Sequence, residues 1–329
     1  MSTSRLTTAL AEGAVTLPAA GRIAVFGPGA GADLSALPKA RVQVIQGLKP
    51  DHDTFADQGF DTGTAPMGTY AMALISVPRA KAAARALVAE AMRVTGGGPA
   101  IVDGQKTDGV ESLLRDCRRR AAVGPVVAKA HGKLFAVTGG DFDDWTAADR
   151  IVAGGFVTRP GVFSADGPDP GSQALAEALP KKLPARVADL GAGWGYLARA
   201  ILDRDGVAEV HLVEADHAAL NCARRNVTDP RARFHWADAT RFAPDEPLGA
   251  VVTNPPFHAG RAADPGLGRA FIAAAARLLT PSGTLWLVAN RHLPYEAEAQ
   301  AAFAEVHQVD AARGFKILRA IRPRQTGRR

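Results

Sequence analysis

Cysteine is nearly absent: Cys117 and Cys222 are the only two in 329 residues, and neither stands in a Cys-x-x-Cys or Cys/His spacing. That excludes a disulfide framework and a structural zinc site, and it fits a reducing cytoplasm. The eight histidines show no metal-ligand spacing either, so no metal is expected. No stretch approaches the roughly 18 consecutive apolar residues of a membrane-spanning helix. The opening MSTSRLTTALAEGAVTLPAAG has no basic segment followed by a continuous apolar one, so a signal peptide is not expected. Aromatic residues are scarce, at 6%. Hydrophobic residues still reach 47%, enough for a core in each of two domains of about 150 residues. The net charge of +6 suits a polyanionic partner such as RNA, and an ordinary Arg-rich surface gives the same balance.

What is present is a strand–helix alternation. In the second half the apolar runs Arg186–Leu190, Glu209–Val213, Arg233–Trp236, 250–253 and Thr284–Ala289 read as strands. Helices are expected over Leu197–Leu202, Ala218–Asn226 and Phe271–Leu279, and a further one beginning after Ser172. This alternation predicts a parallel sheet covered on both faces. Phe303–Val309 and Phe315–Ala320 read as a closing antiparallel hairpin. The first half gives a fainter version: strands at Arg22–Phe26, Val42–Gln46, Tyr70–Val77 and Ala100–Val102, with an amphipathic helix near Ala80–Arg93.

The two halves can be laid over each other. Val25-Phe26-Gly27-Pro28-Gly29-Ala30-Gly31 matches Asp189-Leu190-Gly191-Ala192-Gly193-Trp194-Gly195. Gln46 then stands where the second half has Glu214, and Ser76-Val77-Pro78-Arg79 where it has Asn254-Pro255-Pro256-Phe257. The reading is a duplicated α/β fold with a degenerate first copy, residues 1–155, and a working second copy, residues 156–329.

Four features of the second copy carry chemistry. The Gly191, Gly193, Gly195 turn follows a strand, where glycines let a ligand approach the main chain; a dinucleotide site or a plain connection fits it as well. Glu214 ends the next strand, and a carboxylate there can accept from both hydroxyls of an adenosine ribose, in NAD or in S-adenosylmethionine. Asp216 competes for that role but does not directly follow the apolar strand. Asp238, after the third strand, can accept from an adenine amino group. Asn254-Pro255-Pro256-Phe257 decides between the alternatives. The Asn254 side-chain oxygen and the Pro255 carbonyl can accept both N–H bonds of a planar amine, Pro256 fixes the backbone, and Phe257 offers a stacking face worth about 1–3 kcal/mol. His258 next to it reads equally as a substrate contact or as a polar loop residue. The Arg115–Arg120 run and the tail Arg319, Arg322, Arg324, Arg328 and Arg329 read as solvated faces or as phosphate contacts.

The motif order resembles class I methyltransferases that act on amino groups. More narrowly, Pro160-Gly161-Val162-Phe163-Ser164, Asp166-Gly167, Gly171-Ser172-Gln173, Asn254-Pro255-Pro256-Phe257-His258, Val288-Ala289-Asn290, Leu293-Pro294-Tyr295 and Gly314-Phe315-Lys316 are similar to the ribosomal RNA small subunit methyltransferase C family. The resemblance implies two tandem Rossmann-like domains, the first degenerate and serving RNA docking or support. It implies transfer of a methyl group from S-adenosylmethionine to the N2 amine of a guanosine in 16S rRNA. It puts the cofactor on Gly191, Gly193, Gly195, Glu214 and Asp238, with Asp189, Ala239 and Asn254 beside them and Phe163 and Ser164 lining the same pocket. Asn254, Pro255 and Phe257 would hold the base. A cytoplasmic monomer acting on ribosomal RNA or the small subunit, without metal or membrane, is expected. The alternatives are a 23S rRNA guanosine, a DNA adenine or a protein glutamine as target, or a silent rRNA-binding assembly protein.

Overall fold

In the computed structural model, residues 4–256, 258–259, 262–263, 265–310 and 314–324 are described. Phe257 and the Arg328–Arg329 end of the basic tail lie outside them, as does the His258 side chain. The chain divides into two compact units, one of Met1–Asp149 with Arg159–Gly161, the other of Arg150–Thr158 with Val162–Arg329.

The first unit contains α1 (Arg5–Ala11), β1 (Ile23–Phe26), β2 (Val42–Ile45), α2 (Lys49–Asp57), β3 (Asp61–Gly63), β4 (Met72–Ser76), α3 (Lys81–Thr95), β5 (Ala100–Gln105), α4 (Val110–Arg118), β6 (Ala122–Val123), β7 (Val127–Lys129) and β8 (Gly132–Thr138). Its sheet runs β3-β2-β1-β4-β5-β8-β6, with β7 beside β8. The strands β1 to β5 pair in parallel, and β8 runs antiparallel to β5.

The second unit contains β9 (Arg150–Val152), β10 (Phe156–Thr158), α5 (Pro170–Ala178), β11 (Arg186–Leu190), α6 (Tyr196–Leu202), β12 (Glu209–Glu214), α7 (His217–Asn226), β13 (Ala232–Trp236), β14 (Leu248–Thr253), β15 (His258–Ala259), β16 (Ala262–Ala263), α8 (Pro265–Leu278), β17 (Leu279–Asn290), α9 (Tyr295–Ala302), β18 (Phe303–Asp310) and β19 (Phe315–Pro323). Its sheet, β13-β12-β11-β14-β17-β19-β18, repeats the order of the first. Side chains alternate across the pleat, so β11 feeds two cores. Val187 packs with Leu175, Leu197 and Leu220 of α5, α6 and α7 on one face. Ala188 and Leu190 pack with Phe271, Ile272 and Ala299 of α8 and α9 on the other. Nearly continuous apolar strands are what such double coverage requires.

The ladder registers support the overlay of the two halves. Phe26 pairs with Ile45 and Ile75; Leu190 pairs with Val213 and Thr253. Gln46 therefore follows its strand where Glu214 ends its own, and Ser76 stands where Asn254 does.

Several expected boundaries move: the helix expected over Phe271–Leu279 begins at Pro265, and the strand expected over Ala100–Val102 runs on to Gln105. The helix expected after Ser172 begins at Pro170, because Asp169 is its N-cap: the Asp169 carboxylate accepts from the Ser172 N–H at 2.9 Å. Proline at the first helical position lacks only a donor that would be unpaired there anyway. The strand expected from Thr284 begins at Leu279, directly after α8, and a register shift between Leu248 and Ala250 absorbs the extra length.

Asn226, at the end of α7, joins three segments. Its Oδ1 accepts from Val157 N–H at 2.7 Å, and its Nδ2 donates to the carbonyls of Val157 and Trp194, both at 2.8 Å. It thereby ties β10 to the glycine turn. Asn226→Ala should destabilise the second unit by about 1–3 kcal/mol, since several main-chain groups lose their partners at once. Urea unfolding of the variant checks this, and a midpoint equal to that of wild type would show that the clamp is not needed.

Candidate functional site

The site lies at the carboxyl ends of β11, β12 and β14, where parallel strands leave their main-chain groups to loops. Gly191, Gly193 and Gly195 all have positive φ, +74°, +55° and +93°. A Cβ on Gly195 would lie 2.9 Å from Val227 Cγ2, so this turn admits no larger residue without strain. Gly191 N–H and Ala192 N–H donate to the Val213 carbonyl at 2.9 and 3.1 Å, which seats the turn on β12. Trp194, the spacer in the motif, is buried, and its Nε1 donates to the Phe163 carbonyl at 2.9 Å. That bond holds the loop of residues 161–168 over the turn by its backbone and leaves the Phe163 ring 59% exposed. Ser164, at φ +50°, closes the same loop by donating from Oγ to Gly167 O at 2.7 Å.

Glu214 accepts from Gly193 N–H and Asp216 N–H, both at 2.7 Å. A carboxylate offers about four acceptor directions, so about two remain for a diol. Asp216 caps α7, accepting from Ala218 N–H at 2.9 Å, which leaves Glu214 as the strand-end acceptor. Asp238 uses Oδ1 to accept from the Thr240 N–H and hydroxyl at 2.8 and 2.7 Å, shaping its loop. Arg277 of α8 donates to the Thr240 and Phe242 carbonyls, and Ala239 and Phe242 sit in the core beneath.

Asp189 is fully buried, and among the described residues neither carboxylate oxygen has a hydrogen-bond partner. Burial, with the nearby Glu214 charge, pushes its carboxyl up to about 8. Burial likewise raises Glu214 to about 7, against the pull of the Asp216 and Gly193 amides.

Asn254 follows β14, and its Nδ2 donates to Asp169 Oδ2 and Ser172 Oγ, both at 2.9 Å. Both amide hydrogens are used there, and Oδ1 is the acceptor left to offer. Pro255, buried behind it, has no N–H for the β17 ladder, so pairing stops at Thr253 with Leu287. In the first unit Val77 stands in that place and donates to the Asp103 carbonyl at 2.9 Å, keeping the strand end on the sheet.

Phe163, Ser164, Gly191, Gly193 and Asn254 line one cavity together with Asp169, Ser172, Ala192, Trp194, Tyr196 and Leu197. Its volume is about 40 Å³, against roughly 300–1,000 Å³ for a small-molecule pocket. Asp189, Gly195, Glu214, Asp238 and Ala239 stand outside that lining. Asp169, Ser172 and Trp194 were given no site role by the motifs, although Ser172 and Trp194 stand within them; the Asp-Pro pair that opens α5 is the signal that points to the first. A larger cavity, about 780 Å³, opens in the first unit between α3 and the strand ends Phe26 and Ile45. It holds none of the expected site residues.

In the first unit the residue that matches Glu214 is tied to its own loops. Gln46 Nε2 donates to the Pro28 carbonyl at 2.7 Å, and its Oε1 accepts from Leu48 N–H at 2.8 Å. Val25 replaces Asp189 and is fully buried in the core.

The model of the methyltransferase small domain matches residues 153–319. A ribosomal RNA small subunit methyltransferase C from Hahella chejuensis is 31% identical over 231 residues, 67% of this chain and 68% of that protein. A ribosomal RNA large subunit methyltransferase G from Aeromonas salmonicida is 35% identical over 170 residues, 49% of this chain and 44% of that protein. The chain thus spans less than half the length of that large-subunit relative. The solved T. thermophilus 16S rRNA N2 methyltransferase in complex with AdoMet and guanosine superposes with a TM-score of 0.77 and 25% identity, covering 93% of this chain and 90% of that one.

The raised carboxyls set the sign of a pH effect. Each favours the folded state while protonated, and that advantage fades as pH climbs from the unfolded value near 4 toward about 8 for Asp189 and about 7 for Glu214. Asp189→Asn cannot ionise, so its melting temperature should gain on wild type steadily between pH 5 and pH 8. Parallel melting curves across that range would refute the assignment.

Proposed function

The chain belongs to the methyltransferase small domain family, in the company of the ribosomal RNA small subunit methyltransferase C enzymes, and from that premise we propose that it methylates the N2 amine of a guanosine in 16S rRNA with S-adenosylmethionine as donor. The observation that carries this reading is Asn254, held at the end of the central strand in one cavity with Gly191, Gly193 and Phe163. The residues fit the cofactor. Glu214 has acceptor directions left for a ribose diol, the glycine turn can take a ligand against its main chain, and the orphaned Asp189 carboxyl favours a positive charge nearby. When bound, the cofactor supplies a methyl group made electrophilic by a sulfonium.

Everything else falls to the protein. Asn254 Oδ1 and the Pro255 carbonyl accept the two amine N–H bonds and favour a rehybridised nitrogen whose lone pair is drawn out of conjugation with the ring. The amine nitrogen forms the N–C bond while the C–S electron pair stays with sulfur, and the nitrogen then loses its proton to water. No strong base is required, so the gain comes from position and exclusion of water. The exposed Phe163 ring stands beside Asn254, and Phe257 is assigned the face of the base. A paired guanosine must first be turned out, at a cost of about a few kcal/mol. We assign residues 156–329 the catalysis and residues 1–155 the docking of RNA or support of the fold. The enzyme is taken to work in the cytoplasm as a monomer. A second reading, a guanosine of 23S rRNA, is favoured by the 35% identity to the large-subunit relative.

Asn254→Ala should slow methyl transfer about 100-fold or more, as loss of one positioned polar group commonly does, with cofactor affinity nearly kept. Glu214→Ala should do the reverse and weaken cofactor binding by about 10-fold, roughly the worth of a charge-assisted hydrogen bond. Calorimetry and mass-spectrometric mapping of both rRNAs, with and without the protein, read these effects. A methyl mark on 23S rRNA alone would establish the second reading, and an active Asn254→Ala variant would remove the mechanism.

A further inference from the structure

We propose that Asp169 is the positioning residue for Asn254: through Nδ2 it fixes which way the Asn254 amide faces, and its charge strengthens Oδ1 as an acceptor. This rests on reading Asn254 as the group that receives the target amine. A carboxylate accepts and cannot donate, so only the Asn254 nitrogen can face Asp169 Oδ2 at 2.9 Å. Ser172 Oγ, also at 2.9 Å from Nδ2, can donate or accept and therefore cannot choose between the two amide orientations. With Ser172 alone, a rotated Asn254 would present N–H groups to an amine that needs an acceptor. Asp169 removes that choice, and a bond to an ionised acceptor is roughly twice as strong as a neutral one.

The carboxylate is itself held. The same Oδ2 accepts from Ser172 N–H at 2.9 Å at the start of α5, so the cap and the amide clamp share one atom. Capping alone does not call for a charge. In the first unit Ser4 caps α1 by accepting from Thr7 N–H at 3.1 Å, three residues on, in the same pattern. Serine and aspartate cap about equally well. The copy that has Ser76 in place of Asn254 has a neutral cap, and the copy that keeps Asn254 has a charged one. The charge also lies one amide group from the amine. It pulls density toward Oδ1 and favours the positive charge that the nitrogen carries until its proton leaves.

The test uses the full chain. Asp169→Asn and Asp169→Ser both keep a capping residue. Each should lower kcat by about 10- to 100-fold, with KM for rRNA and calorimetric affinity for S-adenosylmethionine within about twofold. Asn254→Asp sets two carboxyls against each other and should be impaired. Adding Asp169→Asn to that variant reverses the hydrogen bond and leaves a carboxylate oxygen facing the amine. The double variant should recover about 10-fold of the loss, as coupled partners do. The side-chain amide resonance of Asn254, identified by its disappearance in Asn254→Ala, should move in Asp169→Ser. That signal reports on Asp169 whatever the methyl acceptor is, so this inference and the rRNA reading fail separately. An unmoved resonance, or a double variant no better than Asn254→Asp, overturns the positioning role.

Discussion

Thr253 Oγ1 donates to the Leu190 carbonyl at 2.7 Å in a fully buried setting, and this crosslink between the two central strands is what the site depends on. It pins the last rung of the β11–β14 ladder. One residue further, each strand leaves the sheet: Leu190 into Gly191 and Thr253 into Asn254. The glycine turn and the Asn254 amide, to which we assign cofactor and substrate, thus emerge side by side from paired backbone, where a slip of one residue would exchange the faces of every side chain. The prolines finish the separation, because a strand without an N–H at Pro255 cannot go on pairing with β17. Fold and chemistry share one constraint here, the common end point of two parallel strands.

The first unit serves as an internal control on that constraint. It keeps the strand order, the ladder register and a positive-φ glycine at Gly27, whose N–H donates to the Ile45 carbonyl as Gly191 donates to Val213. It lacks the groups that do work at the edge. Gln46 spends its amide hydrogens on the Pro28 carbonyl and the Asp51 carboxylate, where Glu214 accepts from main-chain amides. Val25 fills the core where Asp189 places a carboxyl. These exchanges replace costly polar burial by satisfied or apolar groups, which is the direction expected when a fold is kept and a ligand is not. The frame survives because its core does not use the edge residues.

Much of this was legible in the sequence, for definable reasons. The strands around Leu190, Val213 and Thr253 are short apolar runs closed by glycine or proline, and doubly covered parallel strands have to look that way. Glu214 could be preferred to Asp216 because it directly follows the apolar run, and Asp216 proves to be a helix cap. Asp169 was harder. Ser172 is as good a capping residue on paper, and only the following Pro170 marks Asp169 as the true cap. Its second role, reaching Asn254, joins residues far apart in the chain, so no local pattern contains it. Lys316 is similar. Its ammonium is buried against the Leu293 carbonyl and the Glu296 carboxylate, which makes the Leu293-Pro294-Tyr295 and Gly314-Phe315-Lys316 motifs a staple between α9 and β19.

An enzyme with a cationic cofactor and a polyanionic substrate needs opposite fields within one small region. This chain separates them by depth. Asp189 is fully buried and Asp169 and Glu214 are half-buried, where a lowered dielectric strengthens their influence. Arginines hold the outside, and the net charge is +6. Surface charges are screened beyond about 8 Å at physiological ionic strength, so each field acts on its own partner. The cost falls on the buried carboxyls, and the raised values of Asp189 and Glu214 record it. A cation placed beside them relieves that cost, so the same burial that weakens the fold at high pH strengthens the grip on a positively charged ligand.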